Sequence, residues 1–243
     1  KSQLTPGGIL VGKTQPGSRV FYQEREVRVA PDGRFIIGFG RNASLEQSYR
    51  EIRADGSSQR VALTLKPRTY NIQRVTGIAR KYVTPDERVL SRIRREAEQV
   101  RQSRREDTRQ GDFFKGFDWP VKGRISGVYG SQRYYNGKPG RPHYGLDVAV
   151  PTGTPVVAPA NGVVRLASPD LYYSGGTIIV DHGHGLFSSF LHLSKVSVQP
   201  GDRIKRGAVI GLVGATGRST GAHLDWRYNW FDKRLDPALL TLP

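Results

Sequence analysis

From Gly7 to about Gly77, hydrophobic and polar positions alternate in short runs such as REVRV and RVALTL, broken by turn signals at PDG (31–33) and ADG (54–56). Such period-two alternation puts one face of each run into a core, and predicts a small β-sandwich over residues 1–78. The pattern then changes. Thr84, Pro85 and Glu87 read as the N-cap, the first helical position and the acidic partner of a capping box, after which Val89, Leu90, Ile93, Ala97 and Val100 recur on one side of a helix. Arginine, glutamate and glutamine fill the rest of the helix, so it packs a single face against a neighbour. Beyond Val100 the stretch RQSRREDTRQGD offers no apolar anchor, which predicts an exposed helix end or linker; 79–112 is read as a helical linker, with the boundary near Gly111. Glycine-punctuated β-branched runs follow, among them GTPVVAPANGVV, TIIVDHG and LDWRYNWF, and predict a compact antiparallel β domain over 113–243. The fold class is mainly β: a small N-terminal sandwich, a connecting helix and a larger C-terminal β domain.

Composition narrows the chemistry. A chain of 243 residues can bury two cores without staples, and the absence of cysteine removes thiol catalysis, Cys-based zinc fingers and disulfides together. No apolar run approaches the ~18 residues that span a bilayer. The chain has no methionine, even at its start, and so reads as a processed or truncated product whose missing leader is a candidate export signal. Its formal net charge of +17 directs the surface toward polyanions such as nucleic acid, lipid head groups or an anionic cell wall. The arginines of 88–109 alternate with Glu96, Glu98, Glu106 and Asp107, as on a solvated helix face. Aromatics are not interleaved with them and no zinc-finger or RNA-recognition signature is present, so nucleic acid is not an expected partner.

All five histidines (His143, His182, His184, His192 and His223) fall in 113–243. In HYGLD, His143 and Asp147 are four apart, a spacing that shares a face on either a helix or a strand. In AHLDW, His223 and Asp225 are two apart and share a face only on an extended strand, which the flanking WRYNW favours. His192, in FLHL, alternates with Leu191 and Leu193 and on its own reads as a core or turn histidine. His182 and His184, in DHGHG, resemble a chelating pair, but Gly183 and Gly185 indicate a tight turn, so both are read as loop residues that line a cleft and not as metal ligands.

Taken in order, GRPHYGLD, APANGVV, DHGHG, FLHLS, VQPGDRIKRGAVIGLVGATGRSTGAHLDW and a final DP resemble the lysostaphin/LytM-type zinc metallopeptidases that cut peptidoglycan cross-links, over essentially all of 113–243. The YVTPDERVLSRIRRE helix is similar, less specifically, to an N-terminal extension of some bacterial members. The resemblance implies one zinc ion with His143 and Asp147 as ligands, His192 and His223 as catalytic histidines, and Asp225 where the family carries its third ligand, a histidine. Three readings compete for Asp225: a working ligand, since aspartate binds zinc; a lesion in a pseudoenzyme that acts as an amidase activator or peptidoglycan-binding factor; or an ordinary surface acid. The first is favoured, because the other four positions stand unchanged. Two carboxylates would neutralise the dication and leave a weaker Lewis acid. Changing Asp225 to histidine is then expected to preserve metal binding. The implied substrate is the peptide stem or cross-bridge of peptidoglycan, in a groove walled by Tyr134, Tyr135, Tyr172 and Tyr173 if these do not simply pack on the scaffold. The implied setting is the periplasm or cell envelope, and the protein is expected to act as a monomer, with other cell-wall hydrolases or envelope proteins as possible partners. The G-x-V and PGDRIKRG runs also suggest a lipoyl-type carrier, but no lysine occupies an evident carrier turn.

Overall fold

The computed structural model describes residues 2–241. Its N-terminal part holds a four-stranded antiparallel sheet in the order Arg25–Val27, Arg19–Tyr22, Glu46–Ile52, Ser58–Thr64, and a separate antiparallel pair, Ile9–Lys13 with Arg34–Gly38. Phe35 from the pair meets Tyr49 from the sheet with ring centroids 5.4 Å apart, so the two layers close over a common apolar interior. Strand Ile72–Val75 leaves this arrangement. It runs parallel to Gln132–Tyr135, far along the chain.

The C-terminal part is built on one ten-stranded antiparallel sheet, apart from Gln132–Tyr135 and Lys138–Pro139, which join Ile72–Val75 in a three-stranded sheet. Its main path runs Arg203–Ile204, Gly162–Leu171, Gly175–Gly183, Leu186–Val196, Leu224–Trp230, Leu146–Ala149, Arg124–Gly127. The central strand Gly175–Gly183 is buried at every position, which explains its β-branched, nearly uncharged sequence. Asp181 is the exception, fully buried and held by Arg165 at 2.9 Å. Trp226, Tyr228 and Phe190 fill the space beneath the sheet, and their apolar cluster is continuous with Val20, Phe35, Ile36 and Ile37 of the N-terminal layers. Tyr22 packs on Trp230 at 5.9 Å and Arg68 pairs with Asp236, joining the two parts by apolar and ionic contacts.

The connecting segment departs from the expected start. A short helix, Arg80–Val83, ends at Thr84, and the longer helix spans Glu87–Gln102 with Asp86 as its N-cap, accepting from the Arg88 amide. Thr84 therefore closes one helix and does not open the next: the ionised carboxylate of Asp86, just past Pro85, supplies the acceptor that the first free amides need. Val100 packs on Leu166, Leu171, Ile179 and Phe187, whereas Ala97 is exposed. Residues 103–110 have no apolar anchor, as expected, yet they are tied down by polar contacts. Arg28 reaches Asp107, Thr108 donates to Asp181, and the Thr108 carbonyl accepts from the His184 amide.

Candidate metal centre

Strands Leu146–Ala149 and Leu224–Trp230 are antiparallel neighbours, and their register sets Asp147 directly opposite Asp225. Two carboxylates facing each other across a ladder repel, so a fold keeps such a pair only where cations compensate it. His143 completes the group from the irregular segment ahead of Leu146. Ligand atoms of His143, Asp147 and Asp225 lie within 4.8 Å of one another and all three residues are buried. The four-residue spacing of His143 and Asp147 works here through a loop and not along a regular strand. Gly145 is what lets that loop close in, since a Cβ there would stand 2.3 Å from Asp225 Oδ1.

His192 and His223 approach the same point. His223 precedes strand Leu224–Trp230 by one residue and turns with Asp225, its Nε2 3.8 Å from Asp147 Oδ1. His192 gets there by a β-bulge. Between Gly176 and Ile178 on one strand, Leu193 and Phe190 are the partners on the other, so one extra residue is accommodated, and His192 takes φ 65°. Strict alternation would have pointed His192 away from Leu191 and Asp225. The bulge re-aims it, placing Nε2 4.0 Å from Asp225 Oδ2 and its ring 4.8 Å from that of His223.

All three imidazoles are oriented alike. The Nδ1 atoms of His143, His192 and His223 sit on the carbonyls of Val128, Thr216 and Gly221 at 3.3, 2.8 and 2.9 Å. With Nδ1–H donating there, each Nε2 presents a lone pair to the cluster, the arrangement that metal-binding histidines use. His143 Nε2 lies 3.0 Å from Asp147 Oδ1 and 3.6 Å from Asp225 Oδ1. His143 Nε2 and Asp147 Oδ1 are sealed from solvent and, among the described residues, face only each other and the other carboxylate and imidazole groups of the cluster. A lone pair held against carboxylate oxygens in a dry site calls for a cation between them, so this donor set fits a divalent metal.

Two arginines that the sequence reading passed over stand behind the carboxylates. Arg133 holds Asp147, and Arg227 holds Asp225 through two nitrogens, its Nε 2.9 Å from Oδ1. Burial drives the Asp225 carboxyl upward, but Arg227 and His143 outweigh it and hold its pKa well below the ordinary value. Burial likewise opposes charge on His143, and Asp147 with Asp225 overcomes it, raising its pKa. His192 answers mainly to burial, which pushes it down to about 4 and leaves it neutral at pH 7. Arg227 had a legible signal: it follows Asp225 by two on the same strand and must share its face. Arg133 lies in a Gly- and Asn-containing segment with no local pattern to mark it.

The remaining histidines are structural. His182 belongs to strand Gly175–Gly183 and not to a loop; it is fully buried, with Nδ1 2.8 Å from the Asn161 carbonyl, Nε2 2.7 Å from Ser188 Oγ, and its ring edge-on to Phe117. His184 packs between Phe113 and Phe114. Neither lines a cleft, because the turn at Gly183–Gly185 folds inward under residues 108–114. The tyrosines are engaged with the scaffold. Tyr172 is buried and donates to the Lys81 carbonyl, Tyr135 and Tyr173 both contact Arg218, and Tyr134 lies by Arg74.

Residues 141–237 match Peptidase family M23. The solved structure of a putative peptidase M23 from Pseudomonas aeruginosa is similar over 98% of this chain and 94% of its own, at 33% identity and a TM-score of 0.77. Among curated proteins, peptidoglycan DD-endopeptidase ShyA of Vibrio cholerae is 39% identical over 114 residues, 46% of this chain and 26% of its own. The DD-carboxypeptidase/endopeptidase Mpg of Neisseria meningitidis is 37% identical over 120 residues, 49% of this chain and 27% of its own. The match thus spans about a quarter of the length of these two relatives. With sheet, buried His/Asp/Asp group and full-length structural counterpart in agreement, the chain belongs to peptidase family M23.

Proposed function

We propose that the protein is a zinc-dependent endopeptidase that hydrolyses peptide cross-links of peptidoglycan in the cell envelope. The observation that carries this reading is the convergence of His143 Nε2, Asp147 Oδ1 and Asp225 Oδ1 in a buried group, beside two further imidazoles. His143, Asp147 and Asp225 would hold the ion. A zinc ion there would polarise a peptide carbonyl and lower the pKa of a water molecule. Arg227 changes the charge argument for this ligand set: by pairing with Asp225 it offsets the negative charge that an aspartate adds in place of a neutral histidine. Arg133 does the same for Asp147, and both arginines orient the carboxylates they touch.

His192 and His223 supply the proton-handling groups. His192, neutral at pH 7 and fixed by Thr216, offers Nε2 as an acceptor in a nearly dry site. His223 is the more open, its side chain 16% exposed against 7% for His192, so it is the one placed to meet an incoming peptide and pass a proton to the departing amine. The names of ShyA and Mpg support a cross-link peptide as substrate, and the positive surface favours an anionic wall.

One observation favours a second reading, a non-enzymatic wall-binding protein. Arg133 and Arg227 already neutralise both carboxylates, so the cluster is balanced without an ion. The test is metal analysis of the purified chain together with release of soluble peptides from purified sacculi, with and without a chelator. The endopeptidase reading expects about one zinc per chain and chelator-sensitive release. Bound metal absent after zinc dialysis, or sacculi left intact, sinks it.

A further inference from the structure

Asp225, Arg227 and Asn229 alternate along one strand and face the same side of the sheet. Arg227 is committed to Asp225. Two more guanidiniums follow on that face, and neither has a carboxylate partner among the described residues. Arg104, just past the end of helix Glu87–Gln102, donates from Nη2 to Ser189 Oγ at 2.9 Å, and Arg234 donates from Nη1 to Asn229 Oδ1 at 3.1 Å. Nε of Arg104 is sealed from solvent with no partner among the described residues. Both line an open cleft of about 600 Å³ between the helix end and the sheet, with Arg25, Arg101 and Arg105 at its wall. Arg25 lies over the Phe231 ring at 3.9 Å, Arg101 and Arg105 are mostly exposed and share Glu98, and Arg234 has the Tyr144 ring at 6.0 Å as a further contact. Asp232 is the one acid in the lining, and it pairs with Lys233 at 3.4 Å.

Like charges gathered in a partly buried cleft repel, so an anion seated among these guanidiniums would stabilise the cluster. The titration behaviour agrees. Burial, then the neighbouring guanidiniums, push Arg234 down to about 10 and Arg104 well below its ordinary value.

We propose that this cleft is an oxyanion site in which Arg104 and Arg234 grip a phosphate or carboxylate group. The planar guanidinium fork matches two oxygens of either group, and charge-assisted bonds of this kind are among the stronger ones. None of the residues lining this cleft belongs to the His143–Asp147–Asp225 group, and the proposed binding does not depend on a metal.

The test is calorimetric titration of the chelator-treated full chain at constant ionic strength with inorganic phosphate, and with N-acetyl-alanyl-alanine against its C-terminal amide. One equivalent of phosphate, or of the free acid but not the amide, should bind, the productive arm identifying the source of the oxyanion. The Arg104→Gln/Arg234→Gln double variant should weaken binding about tenfold or more, while Arg124→Gln, an exposed arginine elsewhere, leaves it unchanged. Melting provides a second readout. Without anion Arg104→Gln should melt no lower than the unaltered chain, because repulsion is relieved, and added phosphate should no longer raise its melting temperature. Equal binding by the double variant, absence of binding in every arm, or an Arg104→Gln chain that melts well below the parent without anion would overturn the proposal.

Discussion

Asp225 makes sense only together with Arg227. A carboxylate buried to 1% exposure opposite Asp147 would be ejected or protonated alone, and Arg227, with a smaller contribution from His143, holds it ionised. The sequence-level expectation that Asp225→His simply preserves metal binding leaves that arginine out. Removing the carboxylate leaves the half-buried Arg227 guanidinium without its partner, a loss of about 1–3 kcal/mol that should lower the melting temperature by roughly 2–10 °C. Asp225→His/Arg227→Gln removes the stranded charge along with its partner, and should recover most of that loss while restoring zinc affinity measured by competition with a chromophoric chelator. A single variant that melts with the parent would show that Arg227 is not held by Asp225.

At the scale of elements, the site is a matter of register and close approach. The pairing of His223 with Asp225 was read from an i, i+2 spacing that shares a face in extended chain; His223 lies one residue ahead of the strand Leu224–Trp230, in an isolated bridge to Gly214, and its ring still turns toward Asp147, opposite Asp225. The long β-branched runs marked the buried strands for the same local reason. His192 was not legible from its own neighbours: the bulge that turns it is created by pairing with Gly175–Gly183, a nonlocal fact. Nor was the helix start, where the pattern pointed to Thr84 as the cap and the fold uses Asp86. The approach of the His143 loop to strand Leu224–Trp230 gives the prediction for this scale. In Gly145→Ala the new methyl meets Asp225 Oδ1, Arg227 Cγ at 2.7 Å and the Trp226 carbonyl at 2.8 Å, so the loop must move outward. Because misplaced ligands forfeit binding, zinc affinity by chelator competition should fall at least about tenfold, with the strand content seen by circular dichroism kept. Unchanged affinity would mean that His143 reaches the cluster without this contact.

For the molecule as a whole, the sequence suggested two cores with a linker between them, since local patterns cannot show that two apolar faces will meet. The structure joins them: Tyr22 on Trp230, Arg68 on Asp236, and an apolar cluster continuous from Val20 to Trp226. A shared core implies a single cooperative unfolding transition, so protonation of one buried group should be felt in the stability of the entire chain. His182 is the clearest such group, since burial pushes its pKa from 6.5 down to about 4. Between those values the unfolded chain binds a proton that the folded chain refuses, so stability is full above pH 6.5, falls as pH drops toward 4, and levels off below. His184 and His192 act in the same direction and His143 in the opposite one, so a difference measurement is needed. His182→Gln keeps a donor and an acceptor for Asn161 and Ser188 but cannot titrate. Its loss of unfolding free energy between pH 6.5 and pH 4, measured by denaturant titration, should be smaller than the parent's by roughly 3 kcal/mol. Parallel pH profiles for variant and parent would show that His182 already carries its proton in the folded protein, and that the Asn161 and Ser188 contacts tolerate the charge.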